Sequence, residues 1–127
     1  MTSPPPLTPA SVESKLRQLV TDLTRAQQQL SERRDIATEA EIALKRARVA
    51  ASHSESCPRP VRGGTTVAER EAWIDTEVQS EWEAYRRAVT AQDIAQDALR
   101  TTRDIASTVQ TLARSVQQAY SLAGDGR

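Results

Sequence analysis

The sequence predicts an all-α protein, an antiparallel hairpin of two long helices that assembles into a four-helix bundle dimer. Apolar residues recur at alternating steps of four and three over residues 12–51, and a similar pattern covers residues 67–120. This is the repeat of a coiled coil. All prolines and glycines lie outside the two segments, and the 38% apolar content includes no Phe. Small aliphatic side chains of this kind suit helix-on-helix packing.

The first predicted helix spans residues 8–51, after a proline-rich tail at 1–7 that we expect to be disordered. Thr8 can cap this helix, and Pro9 suits its first position because the N–H that it lacks would be unpaired there. Arg33 is the one polar interruption of the seam. The apolar members are Val12, Leu16, Leu19, Leu23, Ala26, Leu30, Ala37, Ala40, Leu44, Ala47 and Ala51. The alanine-rich second half buries less area per residue, so it needs a close partner.

The second predicted helix spans residues 66–122. Thr66 and Glu69 form a capping box, in which each side chain accepts a hydrogen bond from the backbone N–H of the other residue. Gly124 is expected to end the helix, which leaves a tail at 123–127. The predicted seam contains Val67, Ile74, Val78, Tyr85, Ala88, Ala95, Leu99, Ala106, Val109, Ala113, Val116 and Tyr120, with Glu81, Gln92 and Thr102 as polar interruptions.

The segment 52–65 between the helices is predicted to be the corner of the hairpin. It contains two prolines and the adjacent Gly63 and Gly64, which supply backbone freedom before the second helix. Because consecutive helices joined by a short connection pack side by side, we expect Arg33 to lie opposite Glu81–Glu83.

The second helix carries more apolar surface than one partner helix can cover. Trp82 and Val89 lie on one flank of its seam, and Ile105 and Leu112 lie on the other. Trp73 is away from the seam, so it is interpreted as a contact between subunits or as an anchor for another protein. These flanks predict self-association, most simply as a dimer.

Two blocks of opposite charge adjoin the corner, although the net charge of the chain is zero. Residues 43–62 hold five basic residues against one acidic residue, and residues 69–83 hold six acidic residues against one basic residue. The favoured interpretation is neutralisation within the hairpin or between subunits. The alternatives are a docking surface for another protein, or a basic tip that contacts phosphates through Lys45, Arg46, Arg48, Arg59 and Arg62.

The residue types that support catalysis or metal binding do not form a complete site in this sequence. His53 and Cys57 are the only His and Cys, and they are interpreted as two exposed loop side chains, since a zinc site needs more ligands and a nucleophile needs an orienting group. The glycines before Thr66 lack the lysine and preceding strand of a phosphate-binding loop. We therefore expect no enzyme activity, no cofactor and no metal.

The cysteine content and the hydropathy of the chain indicate an expected cellular location. A single cysteine cannot form an internal disulfide and fits a reducing cytosol. The first residues show no secretory signal pattern, and no apolar run is long enough for a membrane span. The expected location is therefore cytoplasmic, with no membrane partner.

Residues 58–120 resemble a group of small phage and prophage proteins. The shared features are a Pro/Gly corner, a helix that opens with a T-x-x-(E/D)-R-like start, an acidic-aromatic stretch and a polar tail. The stretch is matched here by Glu83 and Tyr85, and the tail by Arg100, Arg103, Gln110, Thr111, Arg114, Ser115 and Tyr120. Genes of this group lie near those for single-strand annealing proteins and exonucleases. The resemblance therefore implies an accessory role in phage recombination or replication.

The expected function is that of a non-enzymatic helical interaction protein, which assists DNA recombination or replication through a protein partner. The residues expected to bind that partner are Trp73, Trp82, Tyr85, Arg100, Arg103, Gln110 and Arg114. Two alternatives stay open. One is direct DNA binding by the basic loop end, and the other is a structural coiled-coil spacer.

Overall fold

The computed structural model describes residues 7–125, which form three helices and no strand. The helices are α1 (Pro9–Ser52), α2 (Val67–Glu77) and α3 (Gln79–Asp125). The all-α prediction is confirmed. Of the predicted disordered tail, only Leu7 is described, and it is exposed and lies outside the helices; residues 1–6 and 126–127 lie outside the described residues.

α1 begins as the sequence predicts. The hydroxyl of Thr8 accepts a hydrogen bond from the backbone N–H of Ser11 at 3.1 Å, and the Ser11 hydroxyl accepts one from the N–H of Thr8 at 2.9 Å. Pro9 is the first helical residue. The helix then continues without a break for 44 residues.

α2 also begins at the predicted cap. The Thr66 hydroxyl accepts from the N–H of Glu69 at 3.1 Å, and the Glu69 carboxylate accepts from the N–H of Thr66 at 3.3 Å, so the capping box is confirmed. The second helix is not continuous, however, because Val78 leaves helical geometry (φ −102°, ψ 16°). The hydrogen bonds Val78 N–H to Ile74 O and Trp82 N–H to Val78 O both persist. The interruption is therefore a local change of backbone angle and not a loop.

The predicted end of the second helix at Gly124 is wrong. α3 includes Gly124 and reaches Asp125, and the backbone of Gly124 does not adopt a positive φ. An exposed glycine weakens a helix by only about 1 kcal/mol, which many preceding helical residues can offset.

The described chain divides into two compact units. The terminal unit comprises residues 7–30 and 95–125, and the loop unit comprises Ser31–Ile94. Within the terminal unit, Leu30 packs against Ala95 and Leu99, and Leu23 and Ala26 lie against this cluster. Pro9 and Val12, nearer the start of α1, line a groove together with Ala113 and Gln117, so the first part of α1 runs antiparallel to the last part of α3.

The helices of the terminal unit pair in a different register from the one predicted. The expected placement of Arg33 would set Leu30 near residues 84–87, but its neighbours Ala95 and Leu99 lie about three helical turns further along α3. The predicted register assumes that the chain reverses its direction at the middle of segment 52–65, but that segment is folded asymmetrically. It makes two turns directly after α1, and the reversal with positive φ falls later, at Gly63.

The buried apolar side chains lie on the predicted seams, with the addition of Cys57. They are Val12, Leu19, Leu30, Ala37, Ile74, Val78, Ala88, Ala95 and Leu99. Two predicted seam residues, Val67 and Tyr120, are instead exposed by 64% and 53%. In the terminal unit, Pro9 at the start of α1 lines a groove with Gln117, so Tyr120 lies about one turn past the residues that face the described part of α1.

Candidate interaction surface at the loop unit

The structure separates the five predicted phosphate-binding residues into two groups. Lys45 forms an ion pair with Glu41 at 3.1 Å, one turn earlier in α1, and Arg48 is engaged by acidic side chains of α2. Arg46, Arg59 and Arg62 are exposed and form no ion pair among residues 7–125. The basic tip that stays free for another molecule is therefore smaller than the sequence predicted.

Arg48 connects α1 to α2 through two carboxylates. Its Nη1 donates to Asp75 Oδ1 at 2.6 Å, and its Nη2 donates to Glu71 Oε2 at 2.8 Å. The hydrogen bond to Asp75 is the main cause that raises the pKa of the Arg48 guanidinium, and the nearby carboxylate charges add to it. The contact is the neutralisation within the hairpin that the charge blocks had suggested. All three side chains remain partly exposed, so the contact contributes more to register than to stability.

Arg70 forms hydrogen bonds that join α2 to the corner segment and to the end of α1, a role that the sequence did not predict. Its Nη1 donates to the carbonyl oxygen of Pro58 at 2.9 Å, and its Nη2 donates to that of Ser52 at 3.2 Å. Ser52 is the last residue of α1, whose free carbonyls carry partial negative charge. One signal in the sequence could have singled out Arg70, because it is the one basic residue among the six acidic residues of 69–83.

Cys57 is buried with 6% of its surface exposed, which corrects the prediction of an exposed loop side chain. Two turns after α1 fold the corner back, with the N–H of Cys57 donating to Ser54 O at 3.1 Å. The Cys57 thiol donates a weak hydrogen bond to the carbonyl oxygen of Pro58 at 3.7 Å. His53 is exposed, as predicted. Within residues 7–125, His, Cys, Asp and Glu nowhere cluster in threes in a way that could hold a metal ion.

The glycines of the corner meet two different needs. Gly63 has φ 79°, a backbone conformation that L side chains rarely adopt. A Cβ on Gly64 would lie 2.6 Å from Cγ2 of Val61. The turn they allow is closed by two hydrogen bonds, from Val61 N–H to Thr65 O and from Gly64 N–H to Val61 O, both 3.1 Å.

A groove of about 400 Å³ opens on the loop unit beside the Arg48 contact. It is lined by Arg48, Asp75, Val78, Gln79 and Trp82. Val78 is buried, whereas Trp82 keeps 48% of its surface exposed. Trp73 and Tyr85, the other aromatic residues predicted to bind a partner, are half-buried. Trp82 is therefore the best exposed aromatic anchor of the loop unit.

The polar residues predicted to bind a partner lie on α3 in the terminal unit. Arg100, Arg103, Gln110 and Arg114 are all exposed, and their spacing of three, seven and four places them on one side of the helix. Arg100 also forms a weak ion pair with Asp97 at 3.7 Å. This set and Trp82 belong to different units, so they are two surfaces and not one site.

Over residues 7–125, none of the helices combines the length and the apolar character that crossing a membrane requires.

Comparison with known proteins identifies no relative, since no protein-family model, no curated protein and no solved structure matches the chain.

Proposed function

We propose that the chain is a non-enzymatic helical interaction protein of phage or prophage origin, accessory to DNA recombination or replication through a protein partner. It acts in the cytoplasm without a cofactor, and it self-associates as a dimer in a four-helix bundle. The resemblance of residues 58–120 to small phage proteins supports the recombination setting. The surface of α3 supports the interaction role.

The observation that carries this proposal is the apolar surface that α3 leaves exposed after it has packed. Trp82, Ile94, Ile105 and Leu112 are exposed by 48%, 65%, 45% and 42%. Complete burial of one such side chain contributes about 1.5–3 kcal/mol. Several on one helix can therefore sustain binding to another protein, which is a common reason for large exposed apolar side chains.

The direct experiment is a binding measurement with a purified single-strand annealing protein from the same phage or prophage. Titration calorimetry should detect a complex with the full chain. Ile105→Glu combined with Leu112→Glu should weaken it, because a charge would enter an apolar contact. Val20→Glu is the control, since Val20 is an exposed apolar residue of α1. No binding by the unmodified chain would contradict the recombination role.

Direct DNA binding by the loop end is a second candidate, because Arg46, Arg59 and Arg62 are exposed and form no ion pair within the described chain. Single-stranded DNA binding should then weaken steeply with salt. Arg59→Ala combined with Arg62→Ala should flatten the logarithmic salt slope by about 1.4, because each arginine that neutralises a phosphate accounts for about 0.7 of the slope. Equal binding by both proteins at low salt would exclude this use of the corner.

A further inference from the structure

Trp82 is exposed beside a groove that has room for an aromatic side chain. Its indole lines the rim of the groove of about 400 Å³, while Val78 and Gln79 line it as well. Val78 is one of the most buried residues in the described chain, with 2% of its surface exposed. The surface of the groove that a partner can reach is therefore mainly the exposed part of the Trp82 indole and the side chain of Gln79. These offer an incoming indole an aromatic surface and a polar group for its N–H.

Opposite charges flank Trp82 along the chain. Asp75 precedes it and lines the same groove. Arg86 follows it by one helical turn, which places the two side chains on one face of α3. Arg86 forms no ion pair among residues 7–125, whereas its neighbour Arg87 reaches Glu83 at 3.6 Å. Arg48 bonds to both Asp75 and Glu71, so these three groups together leave one net negative charge. The order along this face is thus a net negative cluster, tryptophan, base.

We infer that this face binds a second copy of the chain, with a two-fold axis across the groove. Trp82 of each copy enters the groove of the other beside Val78 and Gln79, and Arg86 of each copy meets Asp75 of the other. The inference rests on the proposed self-association and assigns the surface responsible for it. Every contact in such an interface occurs twice, because the same patch is used by both copies.

Charge complementarity favours a second copy over other occupants. An antiparallel copy presents base, tryptophan, acid along the same line, so both charges are matched at once. Nucleic acid would meet no net positive charge in the groove, because Asp75 and Glu71 outnumber the Arg48 to which they bond. A partner of one sign would match only one half of the face. A tryptophan in a groove flanked by charges is also typical of residues that dominate binding energy.

The test is sedimentation equilibrium of the full chain and of single variants. Trp82→Ala should weaken the dimer by about thirtyfold or more, the loss typical of a central tryptophan. Arg86→Ala should weaken it by about fivefold to tenfold, less than the loss for a buried charge pair, because Arg86 and Asp75 are both exposed. The matched controls are Ile105→Ala and Arg87→Ala, which should change the dissociation constant by less than about threefold. Circular dichroism should show unchanged helix content, since all four side chains are exposed.

A double-mutant cycle tests the predicted charge pair itself. Asp75→Asn removes the charge but keeps the shape, and Arg48 retains its bond to Glu71 at 2.8 Å. If Asp75 and Arg86 meet across the interface, the combined variant should lose less affinity than the sum of the two single losses. Additive losses would contradict the pairing.

The other outcomes separate this inference from the proposals on which it rests. A dimer that resists Trp82→Ala but is weakened by Ile105→Ala would overturn the inference while self-association stands. A monomer at every concentration would overturn both, and the calorimetric test of the annealing protein would still decide the partner role. If Trp82→Ala keeps the dimer but abolishes binding of that protein, the face belongs to the other partner, which also overturns the inference.

Discussion

The terminal unit and the loop unit hold their helices together by different interactions. In the terminal unit, the contact between α1 and α3 is apolar, with Leu30 against Ala95 and Leu99, and the side-chain hydrogen bonds join residues at most four apart. In the loop unit, Arg48 and Arg70 bond to groups 12–27 residues away. One unit relies on apolar burial and the other adds long-range charged hydrogen bonds.

The difference follows from the composition of the seam. The seam of α1 is rich in leucine up to Leu30 and mostly alanine after it. An alanine buries little apolar area, so helices that meet at alanines gain less from packing. Hydrogen bonds from charged donors are stronger than neutral ones, and two arginines supply them where the alanines lie. The two units should therefore respond to different substitutions.

Leu30→Ala should have the largest effect, a loss of about 3 kcal/mol in the free energy of unfolding. Leu30 is 5% exposed and central to the cluster of the terminal unit, and removing a buried leucine leaves a cavity. Urea denaturation at fixed protein concentration measures the change. Val20→Ala is the control, because Val20 is 64% exposed and should change stability by less than about 0.5 kcal/mol. Equal effects of the two variants would show that the leucine cluster is not the stabilising core.

Arg70→Ala should destabilise the protein by about 2 kcal/mol, within the range for hydrogen bonds to charged groups. The carbonyl group of Ser52 would lose its side-chain donor, and that of Pro58 would keep only the weak hydrogen bond from the Cys57 thiol. Arg70→Lys should recover only part of the loss, because an ammonium group lacks the forked geometry of the guanidinium. Hydrogen exchange should locate the change around the corner at 52–65. Uniformly faster exchange throughout the chain would contradict a local role of Arg70 in holding the corner.

Thr66→Ala should cost about 1 kcal/mol through loss of the capping box. Thr66→Ser retains a hydroxyl for the N–H of Glu69 and serves as the matched control. Thermal unfolding of the three proteins at one concentration measures the difference. A serine variant as unstable as the alanine variant would attribute the effect to the methyl group and not to the cap.

Arg59→Ala combined with Arg62→Ala should have the smallest effect on stability, less than about 0.5 kcal/mol, because both side chains are exposed and form no ion pair within residues 7–125. Urea denaturation measures this change too. Arg70→Ala is the informative contrast, since it removes an arginine of the same corner that has partners. A loss comparable with that of Arg70→Ala would show that the exposed arginines help to fold the corner.

Local patterns predicted the helices and their starts, but they did not predict the contacts between residues far apart in the sequence. The seam residues Leu19 and Leu99, the cap at Thr8 and the box at Thr66 depend on spacing over a few residues, which a sequence shows directly. The register, the burial of Cys57 and the hydrogen bonds of Arg70 depend on how segment 52–65 folds. That segment has no periodic pattern, so its path could not be inferred from spacing.

The candidate surfaces were predicted in part. The exposure of Trp82, Ile105 and Leu112 follows from their positions beside the seam, because residues on the flank of a two-helix contact stay uncovered. Arg48 was placed with the basic tip, since sequence reasoning could not show that α2 brings Asp75 to it. The partner role, the dimer and the phage setting stay predictions.

The central claim is that the exposed apolar surface of α3 mediates self-association, and sedimentation equilibrium of the unmodified chain tests it most directly. We expect an apparent mass that rises with concentration from the 14.0 kDa of one chain towards about twice that value. The thermal midpoint should also rise with concentration, because association stabilises the folded state. A mass of 14.0 kDa at every concentration up to the high micromolar range, with full helix content, would contradict self-association through this surface.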